Sequence, residues 1–384
     1  MKLKDCSTII AGQSPESKYY NTVGIGLPFF QGKADFGEIY PTIRVYCSQP
    51  TKIAEKDDIL LSVRAPVGAT NLSPTRVCIG RGLTAIRPSS ELNLKYLLYF
   101  FRYFEVQLQI KGTGTTFKAI TQDIVKNIDV PVPSLPEQQR IVAKIEELFS
   151  ELDSGVETLK KAKQQLAVYR QAVLTEAFST STNALFIRLD EISVISGGLT
   201  KGRNLSGSET IELPYLRVAN VQNGYLDLSE VKTISLRPDE KERYLLKTGD
   251  VLYTEGGDRD KLGRGTVWRG EVPDCVHQNH VFKARIDPQK AIPEYVAYWS
   301  MSTPARNYFY QKGKQSVNLA SINMTVLSAL TLPLPPLDLQ EKVIRHIESR
   351  LSVCDSIEKT VDAALQQAEA MRQSILKKAF EGGL

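Results

Sequence analysis

The sequence predicts an α+β chain in which two mostly-β globular domains are separated by two long helices, packed antiparallel as a coiled coil about a pseudo-two-fold internal repeat. Three observations predict it. First, IDVPVPSLPEQQRIVAKIEELF from Ile128 matches LTLPLPPLDLQEKVIRHIESRL from Leu330 at a constant offset of 202 residues, which still holds where Ala177-Phe178 matches Ala379-Phe380. Second, apolar residues recur every seventh position in both copies, as Ile145, Leu152, Leu159, Leu166 and Val173 and as Ile347, Cys354, Val361, Ala368 and Ile375. Third, the remaining segments carry short β-type runs bounded by glycine-rich turns.

Taken in order, residues 1–130 form the first globular domain, with Asp58 to Val63 as a buried strand and Leu94 to Phe104 as a helix whose aromatic residues face inward. Residues 131–182 follow as a helix opened by Pro131, Pro133 and Pro136 and closed by a polar linker, Phe178 to Asn183. Residues 183–332 repeat the domain more loosely: Leu189 to Gly198 resembles Leu3 to Gly12 at an offset of 186, and Asp250 to Thr254 stands where Asp58 to Val63 stood. One helix is expected there, Pro293 to Phe309, and Gly256-Gly257-Asp258 reads as a turn. Residues 333–384 are the second long helix, in which Arg350 interrupts one seam position. The offset changes inside the domains and stays fixed across the helices. Loops therefore varied while helix length was held.

Composition narrows the function classes. Of the net charge of +5, Lys and Arg outnumber Asp and Glu by five in residues 1–130 and by two in 183–332, whereas each helical segment is short by one. The excess sits on the globular parts, the direction expected if they face phosphate. No apolar run reaches the roughly 20 residues of a membrane span, and a cytoplasmic protein with no membrane partner is expected. Five scattered cysteines, none in a Cys-x-x-Cys pair, fit reduced packing residues. Cys275, His277 and His280 lie close in sequence, but a fourth ligand is not evident and strand alternation places His280 opposite the other two, so no metal is expected.

Catalytic signatures are missing from the sequence. It holds no Asn/Asp-Pro-Pro-aromatic or Pro-Cys methyltransferase segment, no phosphate-binding Gly-x4-Gly-Lys loop and no convincing nuclease pattern, so no catalytic residues are expected. What recurs instead is flexible glycine beside Lys, Arg, Asn, Gln and Thr, the donors and acceptors that contact phosphates and base edges. The candidate DNA-contacting residues in the first domain are Gln31, Lys33, Arg81, Lys111, Thr113, Thr115 and Lys118. In the second they are Arg203, Asn204, Arg259, Lys261, Arg264, Gln278, Asn279, His280, Lys312, Lys314 and Gln315.

The paired segments PVPSLPEQQRIVAKIEELFSELD and PLPPLDLQEKVIRHIESRLSVCD, with the helix ends YRQAVLTEAF and MRQSILKKAF, resemble the specificity subunit of type I restriction-modification systems. GLPFFQGKADFGE and GDVLYTEGGDRDKLGRG also look like segments of that family's target-recognition domains. The resemblance covers the whole chain. It implies a non-catalytic, sequence-specific subunit that reads a bipartite, asymmetric stretch of double-stranded DNA, one half per domain. It further implies that the helices form the spacer and dock two modification (methyltransferase) subunits and, through them, restriction subunits. No cofactor is then expected on this chain, since S-adenosylmethionine and ATP belong to the partners. Two other readings compete on the residues alone: a coiled-coil scaffold whose globular ends bind protein, and an enzyme with fused recognition domains.

Overall fold

The computed structural model describes residues 1–112, 119–179, 184–315 and 320–383; Thr113, Thr115 and Lys118 lie outside the described residues, as do the side chains of Asp260 and Gln315. The chain divides into two compact units, Met1–Lys160 with Asp362–Leu384, and Lys161–Val361. Each unit thus holds one globular domain, part of the central helix and part of the C-terminal one.

In the first unit a four-stranded antiparallel sheet runs in the order Ser7–Ala11, Leu83–Pro88, Ile59–Ser62, Thr70–Leu72. Its central strand is buried at every position, which is why Ile59-Leu60-Leu61 reads as a continuous apolar run and not as an alternation. A five-stranded sheet, centred on Leu27–Phe30 and its parallel neighbour Val77–Ile79, completes the domain. Helix Leu94–Lys111 is capped by Asn93, whose side chain accepts the Tyr96 amide. It buries Tyr96, Phe100 and Phe101 in a core shared with Ile145, Phe149, Leu376 and Ala379 of the long helices.

The second unit repeats the same sheet order with Ser193–Ser196, Val281–Ile286, Asp250–Thr254 and Gly265–Val267. An ion pair between a buried aspartate and a part-exposed arginine recurs at the same place in each sheet. Arg87 grips Asp58 and Arg285 grips Asp250 through two bonds of 2.8 Å, and each aspartate is 1% exposed. A second recurrent device fixes where each long helix begins. Gln138 accepts the Asn93 amide (2.7 Å) and donates to the carbonyls of Glu91 and Pro133 (both 2.9 Å). Gln340 does the same with Ile292 (2.9 Å), Lys290 (3.1 Å) and Pro335 (2.8 Å). Both glutamines are fully buried, so each amide is satisfied only by this arrangement.

The helices span Leu135–Ser179 and Leu337–Phe380. Of the heptad positions, Ile145, Val173, Ile347 and Val361 are buried, while Leu152, Leu159, Leu166 and Ile375 are only partly covered. Within the first unit Asp153 pairs with Arg372, and Phe380 packs on Tyr96, Phe100 and Tyr103 at 5.2–5.6 Å between ring centres. Within the second, Arg170 bonds Asp355 (2.6 Å) and Glu358 (2.9 Å), and Phe178 packs edge-on to Tyr295 and Trp299 at 5.3 and 5.1 Å. Arg350, the seam interruption, is accommodated by donating to the Tyr169 hydroxyl at 2.9 Å.

Three local expectations are corrected. The Pro293 to Phe309 helix is two, Pro293–Met301 and Thr303–Lys312, because Pro304 has no N–H to offer a continuing helix and Ser302 turns to extended geometry instead. Gly256–Gly257 is not a bare turn but a short strand, paired with Ala320–Ser321. Phe178 and Ser179 belong to the helix, not the linker, because the Phe178 ring is needed in the core. Among the described residues, no helix is long and apolar enough to cross a membrane.

Candidate nucleic-acid interface

In the first unit, three separate loops supply one cleft of about 780 Å³, lined by Gln31, Lys33, Asp35, Ser62, Arg64 and Arg81 among others. The Gln31 to Asp35 loop is closed by the Asp35 carboxylate, which accepts the Gln31 amide at 3.0 Å. It can lie against the Gly80-Arg81-Gly82 loop only because residue 82 lacks a side chain: a Cβ there would fall 2.2 Å from the Gln31 carbonyl oxygen. Arg64 extends from the end of the buried strand Ile59–Ser62, its carbonyl accepting the Ser62 hydroxyl at 3.0 Å. Lys33, Arg64 and Arg81 are all exposed. None of the three has an ion pair among the described residues. With Asp35 the one carboxylate in the lining, the cleft keeps an excess of positive charge, which favours an anion.

Of the residues expected from the sequence, Gln31, Lys33 and Arg81 come together in this cleft, and Arg64 joins them unannounced by the sequence. Arg64 has no glycine beside it, the signal used to find the others. Lys111 is not part of that cleft's lining; it ends helix Leu94–Lys111 with its ammonium 5.4 Å from the Phe104 ring centre.

The second unit distributes its candidates differently. A cleft of about 230 Å³ combines Lys261 and Arg264 with Gln222, Asn223, Tyr225 and Arg306. Arg264 donates to the Gln222 side-chain oxygen at 2.7 Å, and Lys261 pairs with Asp258. The Asn223-Gly224 dipeptide is a turn signal in the sequence that marks this loop. Arg259 lies over the Tyr310 ring at 4.4 Å. Arg203 is tied by two bonds to Glu240, and that pairing holds the Glu240 carboxyl down to about 2. Asn204 accepts the Ser206 amide at 3.0 Å, so it shapes its own turn.

Lys314 and the Gln278-Asn279-His280 segment meet through a small ribbon. Lys314–Gln315 pairs with Ala320–Ser321, which pairs with Gly256–Gly257, and the adjoining Glu255 carboxylate bonds His280. Lys312 is exposed at the end of helix Thr303–Lys312.

Cys275, His277 and His280 do not converge. His277 is fully buried with Nδ1 2.6 Å from the Val281 carbonyl, whereas His280 is exposed, and no cluster of three potential ligands occurs among the described residues. Burial pushes Cys275 up to about 12 and His277 down to about 4.

The histidine has a testable consequence. Between about 4 and its ordinary 6.5, an unfolded chain binds the proton and the folded one does not, so stability is full above pH 6.5 and falls as pH drops towards 4. The difference is worth about 3 kcal/mol. Urea unfolding of the second unit, followed by hydrogen exchange at pH 7 and 4.5, should show a loss that His277→Gln largely removes. An equal loss in wild type and variant would refute the assignment.

A family model of the type I restriction modification DNA specificity domain matches residues 1–166 and again residues 184–367. The chain belongs to that family. Type I specificity subunits recognise DNA sequence and carry no catalysis of their own, in keeping with the clefts described above, which present donors and cations. A protein of Methanocaldococcus jannaschii bearing the name of the type I restriction enzyme MjaX specificity subunit is 40% identical over 167 residues, which cover 43% of this chain and only 38% of that protein. The StySPI specificity subunit of Salmonella potsdam is 27% identical over 373 residues, 92% of this chain and 80% of that protein. Among solved structures, the HsdS subunit from Thermoanaerobacter tengcongensis is 47% identical over 39% of this chain and 37% of that chain, with a TM-score of 0.37.

Proposed function

We propose that this chain is the specificity subunit of a type I restriction-modification complex and reads a bipartite, asymmetric DNA target, one half through each recognition domain. The observation that carries the DNA reading is the first unit's cleft, where Lys33, Arg64 and Arg81 line one surface without ion pairs. Two matches to the family model, one per sequence copy, support a two-part target. The differing loops of the two copies support different bases in each half. Double-stranded DNA and two modification subunits are the partners in this reading, with restriction subunits joining through them. S-adenosylmethionine and ATP would belong to those partners.

The long helices are read as an antiparallel coiled-coil spacer related by a pseudo-two-fold. Three facts support this: the constant 202-residue offset, the heptad stripes, and the pairing within the second unit, where residues 163 and 170 meet 358 and 355. The remaining candidate contacts, including Lys111, Arg203, Asn204, Arg259, Gln278, Asn279, His280, Lys312 and Lys314, are proposed as phosphate or base-edge groups in their respective halves.

Single-molecule methylation mapping of the host genome tests the function. Deleting this chain should abolish one two-part adenine-methylated motif; an unchanged methylome would overturn the proposal. The spacer is tested separately. Seven residues inserted both beside Gly155, around whose Cα there is open space, and beside the exposed Ile357 keep the heptad register while lengthening each helix by about 10 Å. The gap between the half-sites should change and the half-site bases should not. Altered half-sites with the original gap would sink the spacer reading.

A further inference from the structure

We propose that Arg264 is the side chain through which the second unit selects a guanine in its half of the target, with Gln222 as its positioning residue; this rests on the reading of the chain as a DNA specificity subunit. The argument is one of immobilisation. The backbone is fixed on both sides of Arg264. Gly263 adopts a left-handed φ of +64°, and a Cβ there would sit 2.4 Å from the Phe309 ring, so only glycine fits. The Arg264 carbonyl accepts the Thr254 amide at 2.9 Å, and the next carbonyl, of Gly265, accepts the Gly224 amide at 3.0 Å.

That last bond ties the loop carrying Gln222 to the strand Gly265–Val267, which Arg264 directly precedes. Gln222 is itself braced, its amide nitrogen donating to the Ala219 carbonyl at 2.8 Å, so its oxygen is the atom turned to Arg264. The loop's base is pinned by Asn220, 3% exposed, which donates to the carbonyls of Asp227 and Glu230.

Other cations among this unit's candidates are engaged differently. Lys261 is paired with Asp258, Arg203 with Glu240, and Arg259 lies on Tyr310. Arg264 has a neutral amide as its hydrogen-bond partner and no ion pair among the described residues; the Asp258 carboxylate, which feels its charge, is bonded to Lys261 instead. One guanidinium nitrogen is used by Gln222, which leaves the edge formed by Nε and the other terminal nitrogen to present two parallel donors. A phosphate accepts a guanidinium fork or a point charge from many directions, so it gains little from a fixed orientation. A base edge requires it. In the major groove, guanine alone offers two adjacent acceptors, O6 and N7, whereas adenine pairs one acceptor with a donor that would oppose the fork. The exposed Tyr225 and the side chain of Asn223 line the same cleft and can contact the flanking step.

The test compares methylation motifs in the host carrying the full chain as wild type, Arg264→Ala, Arg264→Lys or Gln222→Ala. The wild-type motif should contain a guanine whose preference falls roughly ten- to a hundred-fold in Arg264→Ala. Arg264→Lys, which keeps the charge but cannot fork, should relax the same position. Gln222→Ala should relax it less, by several-fold. The other half-site should be unaltered in every variant, which also reports that the chain is folded.

If Arg264→Ala abolishes both half-sites, the decision passes to Arg264→Lys and Gln222→Ala. Weaker methylation with unchanged base preferences would mark Arg264 as a phosphate contact and overturn the inference while leaving the DNA reading intact. Relaxation at a position that is not guanine would also overturn it. No motif dependent on the wild-type chain would overturn the DNA reading and this inference together.

Discussion

Gln138→Leu should cost the first unit about 3–5 kcal/mol, although the replacement is apolar, similar in size and placed in a buried site. Leucine removes one acceptor and two donor bonds at once. It leaves the Asn93 amide and the carbonyls of Glu91 and Pro133 without their partner, in a place where the side chain that satisfied them was fully buried. The loss should be confined by geography. Hydrogen exchange in rising urea should show the Leu94–Lys111 helix and the start of the central helix opening early, with the second unit's sheet protected as before. Gln340→Leu is the matched control and should reverse the pattern, through Ile292, Lys290 and Pro335. A cost below about 1 kcal/mol, or one shared equally between units, would show that water replaces the amide without penalty.

The second large effect concerns affinity. Replacing Lys33, Arg64 and Arg81 together by alanine should lower DNA affinity by roughly ten- to a hundred-fold near 0.1 M salt. It should also flatten the dependence of log affinity on log salt by nearly 3, since each phosphate contact contributes about 0.9. All three side chains are exposed and without ion pairs among the described residues, so the fold should keep its stability. The purified full chain, with its modification subunits, titrated with duplex DNA at several salt concentrations gives both numbers. An unchanged slope would mean that these cations do not face phosphate, and the cleft would lose its role in the interface.

Much of the fold was legible because its signals are local and periodic. The stripe through Ile145 and Ile347 needs only spacing to be read, and the proline clusters before each helix act on the residues beside them. The repeat also marked Gln138 and Gln340 as equivalent, yet nothing in their neighbourhood says that each holds two backbone groups far away in sequence beside the nearby proline carbonyl. That role depends on where residues about 45 positions upstream return.

The same limit governs the candidate interface. Gln31, Lys33 and Arg81 carried a glycine signal, but their convergence with Arg64 is a matter of how a strand end, a short turn and a glycine loop meet in space. Arg203 looked equivalent to Arg264 in composition, and only the structure separates an arginine tied to Glu240 from one braced by an amide. The Pro293 to Phe309 segment erred in the other direction: its apolar period runs on through Pro304, where the backbone cannot.

The composition of the first unit has a consequence for how the protein is made. Its core includes Leu376 and Ala379, with Phe380 packed on Tyr96, Phe100 and Tyr103, and residues 362–384 are synthesised only after all of 161–361. At about 5–20 residues per second, the ribosome spends on the order of 10–40 seconds on that interval. Throughout it the aromatic face of the Leu94–Lys111 helix waits without its final cover. The first unit is therefore completed only after the second has been made, and in that interval its uncovered aromatic face is open to aggregation and to chaperone capture.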